Sequence, residues 1–156
     1  MSLTGESDGE PMKVGVGIAD LMCGMYASTA MLAALRHRDR TGEGQHIDMA
    51  LLDTQVAWLV YEAENYLISG RRPPRRGNGH PNIVPYQVFE TSDGHIVLAC
   101  GNDRQFRDFC ELAEAPHLFN DARFATNDAR CRNREELIPQ IAAIMRRRTM
   151  AEWLEG

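Results

Sequence analysis

The sequence predicts a mixed α+β fold, on three observations. Apolar residues recur at three- and four-residue steps from Leu21 onward, residues 45–52 alternate strictly, and two alternating segments flank Asp93-Gly94. The first pattern is that of a helix, the second of a strand, and the third of a β-hairpin closed by an Asp-Gly turn. The chain has 156 residues, 44% of them hydrophobic and 25% charged, which suits one ordinary globular unit or pieces of two.

Along the chain, residues 4–12 (TGESDGEPM) read as a polar loop, and VGVGI at 14–18 as a short strand or extended lead-in. From Leu21 a helix carries Met22, Met25, Thr29, Leu32 and Leu35, and ends at residues 36–40 with basic side chains suited to its negative pole. TGEG at 41–44 makes the turn. In QHIDMALL (45–52), Ile47, Met49 and Leu51 face one way and His46, Asp48 and Ala50 the other, predicting a strand. Asp53 is placed to cap a helix over 54–68 with Val56, Leu59, Val60, Ala63 and Leu67 as its stripe, and Gly70 stops it.

RRPPRRGNGHPNIVPY (71–86) is a long Pro-, Gly- and Arg-rich loop and the best domain boundary. YQVFET and HIVLAC form the hairpin. Asn102 or Asp103 caps a helix over 104–113 that turns Phe106, Phe109 and Cys110 inward. Residues 117–133 are less regular, with Leu118, Phe119 and Phe124 as core anchors. Asn133 with Glu136 and Thr149 with Glu152 each read as a capping box opening a helix. Met1-Ser2-Leu3 and Glu155-Gly156 look like cloning scars, so the chain is expected to be an excised piece of a longer protein.

The formal net charge of −5 does not suit non-specific nucleic-acid binding, which wants a basic face. No unbroken apolar run reaches the roughly 18 residues of a membrane span, and no signal peptide is visible. Cys23, Cys100, Cys110 and Cys131 lack CxxC spacing, so they read as reduced cytoplasmic thiols, with no metal site expected.

Asp20 is the one carboxylate in GIADLMCGMYAS (17–28). It is a cap, a surface accident or a working group. Before a helical run the N-cap is the commoner role. The two readings coexist, because a helix start offers free N–H groups that can stabilise a nearby oxyanion. Gly77, Asn78, Gly79, His80 and Pro81 read equally as a mobile glycine loop over a site or as a turn between domains. His80 is a general-base candidate, although a lone loop histidine is more often solvated. Arg71, Arg72, Arg75 and Arg76 could hold a phosphate but suit a solvated linker better. His46 and Asp48 fit a solvent-facing strand, Asp103 a helix start, and 145–148 a basic helix end.

Three stretches together carry a resemblance: GIADLMCGMYASTAMLAALRHRDRTGEGQHIDMALLD, RRGNGHPNIVPYQVFETSDGHIVLACGNDRQF and DARFATNDARCRNREEL. The chain resembles the class III CoA-transferases, the group that includes formyl-CoA transferase, carnitine CoA-transferase (carnitine dehydratase) and α-methylacyl-CoA racemase. The resemblance spans most of residues 13–154. It implies that Asp20 is the catalytic carboxylate and that Gly77-Asn78-Gly79-His80-Pro81 is the glycine loop over the active site. It implies acyl-CoA and a small or medium carboxylic acid as substrates, no permanently bound cofactor, an interlocked homodimer and a cytoplasmic enzyme. Residues 1–70 would be the C-terminal part of a Rossmann-like large domain, contributing a helix–strand–helix tail. Residues 71–85 would be the linker, and 86–156 a small domain with the hairpin and helices. The CoA-binding half would lie outside the chain, leaving this piece inactive alone. The racemase branch uses the equivalent aspartate as an acid/base, with a glutamate in the segment matching CGNDRQF. Asn102 and Asp103 stand there instead, which tilts the reading to a transferase. A non-catalytic structural domain, with Asp20 only a cap, is the remaining alternative.

Overall fold

The computed structural model describes residues 1–156, which divide into two compact units, residues 1–75 and 76–156. The fold is a mix of helices with one small antiparallel sheet.

The first unit is helical. Helix α1 spans Ile18–Thr41 and starts three residues before the apolar period does, so VGVGI forms no strand. It ends where Gly42 takes φ 77 and returns its N–H to Arg38 O, a left-handed stop that glycine adopts at no steric cost. No α1 residue is buried. By length and composition α1 is long and apolar enough to cross a membrane, contrary to the reading by unbroken runs. Asp20, Gly24, Ser28 and Thr29 interrupt the run without greatly lowering its average. Ser28 Oγ and Thr29 Oγ1 also donate back to the carbonyls of Gly24 and Met25, at 2.8 and 3.1 Å, which hides their polarity within the helix.

The predicted strand at 45–52 does not form. A strand needs a neighbour to satisfy its ladder, and the only pairing in the molecule is that of the hairpin. The segment stays extended as far as Ala50 (φ −102, ψ 134), and helix α2 takes over at Leu51–Ala57. Asp53 therefore lies inside the first turn of α2 rather than capping it. The single helix predicted over 54–68 is two, α2 and α3 (Tyr61–Ser69), divided at Val60. Val60 has φ 45, a conformation that costs a β-branched residue of order 1–3 kcal/mol. Gly70, at φ 68, ends α3 as the sequence suggests.

The second unit holds the core. All fifteen residues of the buried apolar cluster lie between Val84 and Trp153. Strands β1 (Tyr86–Glu90) and β2 (His95–Ala99) pair antiparallel with Val88 opposite Val97. Phe89 is buried from β1, while Ile96 and Leu98 of β2 pack on the same cluster and Val97 faces out, the period-two pattern of a half-covered sheet. Around the sheet pack α4 (Asp103–Leu112), α5 (Pro116–Asn120), α6 (Asn127–Arg132), α7 (Arg134–Met145) and α8 (Met150–Glu155).

The caps divide. Asn102 Oδ1 accepts from Gln105 N at 2.9 Å, and Thr149 with Glu152 forms a complete capping box. The box predicted at Asn133 and Glu136 is absent. Asn133 Nδ2 instead donates to Arg123 O and Ala129 O, and Glu136 pairs with Arg123. The segment read as irregular is ordered by α5 and by α6, which Thr126 caps through Ala129 N.

Candidate active site

Asp20 stands in the first turn of α1, exposed, as its third residue. It does not cap the helix. Gly17 is the N-cap residue and supplies no side chain. The carboxylate nonetheless belongs to the helix start, because a Cβ built on Gly17 would come within 3.1 Å of Asp20 Oδ2. The acid folds back over a residue that has no side chain to crowd it. Ile18 N–H is taken by Val16 O and Leu21 N–H by Gly17 O, so Ala19 and Asp20 present the open backbone donors of this turn. Such donors favour anions. A cavity of about 430 Å³ borders the turn, lined by Val14, Val16, Gly17, Ile18 and Ala19 from this side and by Trp58 and Leu59 from the end of α2.

The five loop residues belong to the second unit, and the structure gathers them into one small arch. Gly79 N donates to Arg76 O at 2.9 Å, closing a turn in which Gly77 takes φ 54. A Cβ on Gly79 would meet Arg76 O at 3.2 Å. Both glycines are thus required locally, one by its dihedral and one by close backbone approach. His80 N–H donates to Tyr86 O at 2.9 Å, and the imidazole stacks on the Tyr86 ring with centroids 5.2 Å apart. His80 Nδ1 accepts from Asn82 N–H at 3.1 Å. That nitrogen is therefore engaged, and the neutral ring carries its proton on Nε2, which makes His80 a poor general base.

Beyond the turn the chain is tied down. Asn127 takes Val84 N–H on Oδ1 and gives Nδ2 to Asn82 O. Arg134 donates to His80 O and Pro81 O at 3.2 and 2.7 Å. Arg130, fully buried, gives Nε to Val84 O at 2.6 Å, one terminal nitrogen to Phe124 O and the other to Asp103 Oδ1, with its plane over the Phe106 ring at 4.4 Å. Residues 76–85, expected as linker, are thus bonded into the second unit. The sequence reading missed these three side chains. Their spacing (127, 130, 134) places them on one side of successive turns, but nothing local separates a buried arginine from an exposed one.

The remaining candidates resolve into structural roles. Arg75 is spent on the carbonyls of Glu6, Ser7 and Gly9, so it is neither a free phosphate ligand nor a solvated linker residue. Asp103 accepts from Arg130 and from Asn127 N–H. His46 and Asp48 lie on the extended segment, without the strand face expected for them. Burial raises the thiols of Cys100 and Cys110 to about 12 and about 11, so neither is a nucleophile at neutral pH. No three His, Cys, Asp or Glu side chains cluster as metal ligands.

Comparison with known proteins places this arrangement. The profile of CoA-transferase family III matches residues 1–156. A succinate–glutarate CoA-transferase of Agrobacterium fabrum is 55% identical over 137 residues, covering 88% of this chain and 34% of the relative. The succinyl-CoA:glutarate CoA-transferase of Mus musculus is 42% identical over 99% of this chain and 35% of its own length. An acetyl-CoA:oxalate CoA-transferase of Acetobacter aceti is 35% identical over 99% of this chain and 40% of its own. Among solved structures, a CaiB/BaiF family protein from Brucella suis superposes with TM-score 0.74 at 47% identity, covering 99% of this chain and 41% of that one. The chain therefore spans a little over a third of the length of the relatives it matches.

Proposed function

The chain belongs to CoA-transferase family III, and from that premise we propose that it is the part of an acyl-CoA:carboxylate CoA-transferase that carries the nucleophile, Asp20. The observation that carries this is the placement of Asp20, an exposed carboxylate over a side-chain-free Gly17, beside the open N–H groups of a helix start. The relatives named for succinate, glutarate, mesaconate and oxalate point to short dicarboxylic acids as donor and acceptor.

The steps follow from carboxylate chemistry. Asp20 attacks the thioester carbonyl of the acyl-CoA, forming a mixed anhydride and releasing CoA thiolate. The thiolate attacks the Asp20 carbonyl, giving an aspartyl-CoA thioester and the free donor acid. The acceptor carboxylate attacks that thioester, forming a second anhydride and releasing the thiolate again. The thiolate then takes the acceptor's acyl carbon and frees Asp20 as a carboxylate. Each step develops an oxyanion, which the first-turn donors are suited to stabilise, and covalent catalysis divides one hard exchange into easier ones. Coenzyme A is a substrate here, and its pocket is assigned to residues outside this chain. Residues 1–70 are read as the C-terminal part of the large domain and 86–156 as the small domain, with 71–85 joining them and carrying the glycine loop. The working protein is read as a homodimer in the cytoplasm, which light scattering and cell fractionation test.

Asp103 favours transfer over epimerisation. It is the carboxylate nearest in sequence to the racemase glutamate, and it is held by Arg130 and Asn127 N–H as part of the fold. The test is Asp20→Asn in the full-length protein, assayed for CoA transfer from succinyl-CoA to glutarate. A loss of about a thousandfold or more in turnover is expected, with unfolding unchanged. Wild-type protein denatured during turnover should carry CoA on the peptide containing Asp20, by mass. Retained turnover in the variant removes Asp20 from the mechanism. Exchange of the α-hydrogen without an acceptor acid would favour the racemase.

A further inference from the structure

We propose that Arg134 is a positioning residue for the glycine loop, holding residues 80–84 against the second unit so that motion is confined to the turn Gly77–Gly79. This rests on the reading of that loop as part of the transferase site. One terminal nitrogen of Arg134 donates to two consecutive carbonyls, His80 O at 3.2 Å and Pro81 O at 2.7 Å. Neither carbonyl belongs to a strand or helix. Asn127 holds the next two contacts down the chain, Asn82 O and Val84 N–H, and Arg130 holds Val84 O. Residues 80, 81, 82 and 84 are thus each gripped by a side chain of α6 or α7. The turn before them is closed only by its own Gly79 N–H to Arg76 O bond. The division between clamped and self-closed backbone falls at Gly79–His80.

Arg134 differs from its two neighbours in kind. Arg130 is fully buried, with its ring contact to Phe106 inside the core, and Asn127 starts a helix. Arg134 is half-buried, and both of its printed bonds go to the loop. Its removal therefore acts on the loop while leaving the core cluster intact. A loosened arch admits water to the aspartyl-CoA thioester. The water oxygen then bonds to the Asp20 carbonyl carbon, the C–S bond breaks, and CoA leaves as the thiol with a proton from the water. Acyl-CoA is consumed without transfer.

The experiment compares wild type, Arg134→Ala and Arg134→Lys in the full-length protein. Hydrogen exchange is read at the amides of Asn82 and Val84, with those of Phe89 and Ile96 in the hairpin as reference. Arg134→Ala should speed exchange at the loop about tenfold, as expected for loss of a charge-assisted bond, and leave the hairpin unchanged. The share of succinyl-CoA lost to hydrolysis should rise at the expense of transfer to glutarate, and Arg134→Lys should restore part of both. Unchanged loop exchange overturns the proposal. So does faster exchange in loop and hairpin alike, which would mark a merely structural arginine. Faster loop exchange with an unchanged partition overturns the link to the site. Wild-type protein that neither transfers nor hydrolyses acyl-CoA refutes the transferase reading instead, and the exchange comparison still decides whether Arg134 positions the loop.

Discussion

At the scale of single residues, Asp20 owes its accessibility to a neighbour. Gly17 leaves the space into which the carboxylate folds, and a methyl there would press on it at 3.1 Å. Gly17→Ala in the full-length protein should lower transfer about tenfold through a displaced carboxylate, with little change in unfolding, because φ −72 suits alanine. Activity equal to wild type would show that the space is not needed. Arg130 is the opposite case, a residue that acts through burial. Arg130→Ala leaves two backbone carbonyls and Asp103 without their donor. It should cost about 3–5 kcal/mol in urea unfolding; a loss under about 1 kcal/mol would mean that water replaces the guanidinium. Glu152 supplies the pH dependence. Thr149 N–H and its hydroxyl both donate to the carboxylate, which holds Glu152 below its ordinary value of 4.5. A carboxyl depressed in the folded state adds stability above the unfolded value, and that increment fades as pH falls through the folded value. The unfolding midpoint of Glu152→Gln, followed downward from about pH 6, should lack this part of the acid slope. The family resemblance singled out Asp20, but nothing in the sequence singled out Arg130. An arginine inside NDARCRN looks like any exposed helical arginine until its partners, Val84 and Asp103, are brought from distant positions.

At the scale of elements, legibility followed how local each signal is. The hairpin was readable because its strands and turn are consecutive. Thr91 N–H donates to Gly94 O at 2.8 Å, and the hydroxyl of Thr91 reaches Asp93. The Thr149 box was readable for the same reason, and Thr149→Ala should destabilise the second unit by about 1 kcal/mol in urea unfolding. The box at Asn133 has the same local letters. It fails because Arg123 and Asn133 find partners outside the tetrad. The strand at 45–52 fails for want of a neighbour, and the break at Val60 has no sequence signal, since a β-branched residue is among the last expected at positive φ. The limits of α1 were misplaced by three residues at the start because Ile18 reads equally well as the end of VGVGI.

At the scale of the molecule, the two units are built differently. The second has its apolar cluster, whereas the first buries only Thr54 among its residues and exposes large apolar side chains along every helix, including Leu21, Met25, Leu32, Leu52, Leu67 and Ile68. Exposure on that scale marks surfaces made for contact. In the family reading, the CoA-binding half belongs to sequence beyond these residues. The 156-residue chain alone should therefore give no heat of tight CoA binding in calorimetry, and micromolar binding would contradict that assignment. The molecule's two tryptophans, Trp58 and Trp153, fall one in each unit. Trp58 is 44% exposed, while Trp153 is 7% exposed, donates its indole N–H to Met145 O at 2.9 Å and lies against Phe109. Emission from the first should lie to the red and be open to iodide, and emission from the second should be blue and shielded. The protein thus carries its own pair of optical reporters, and a Trp58→Phe variant would let the unfolding of the cored unit be watched alone.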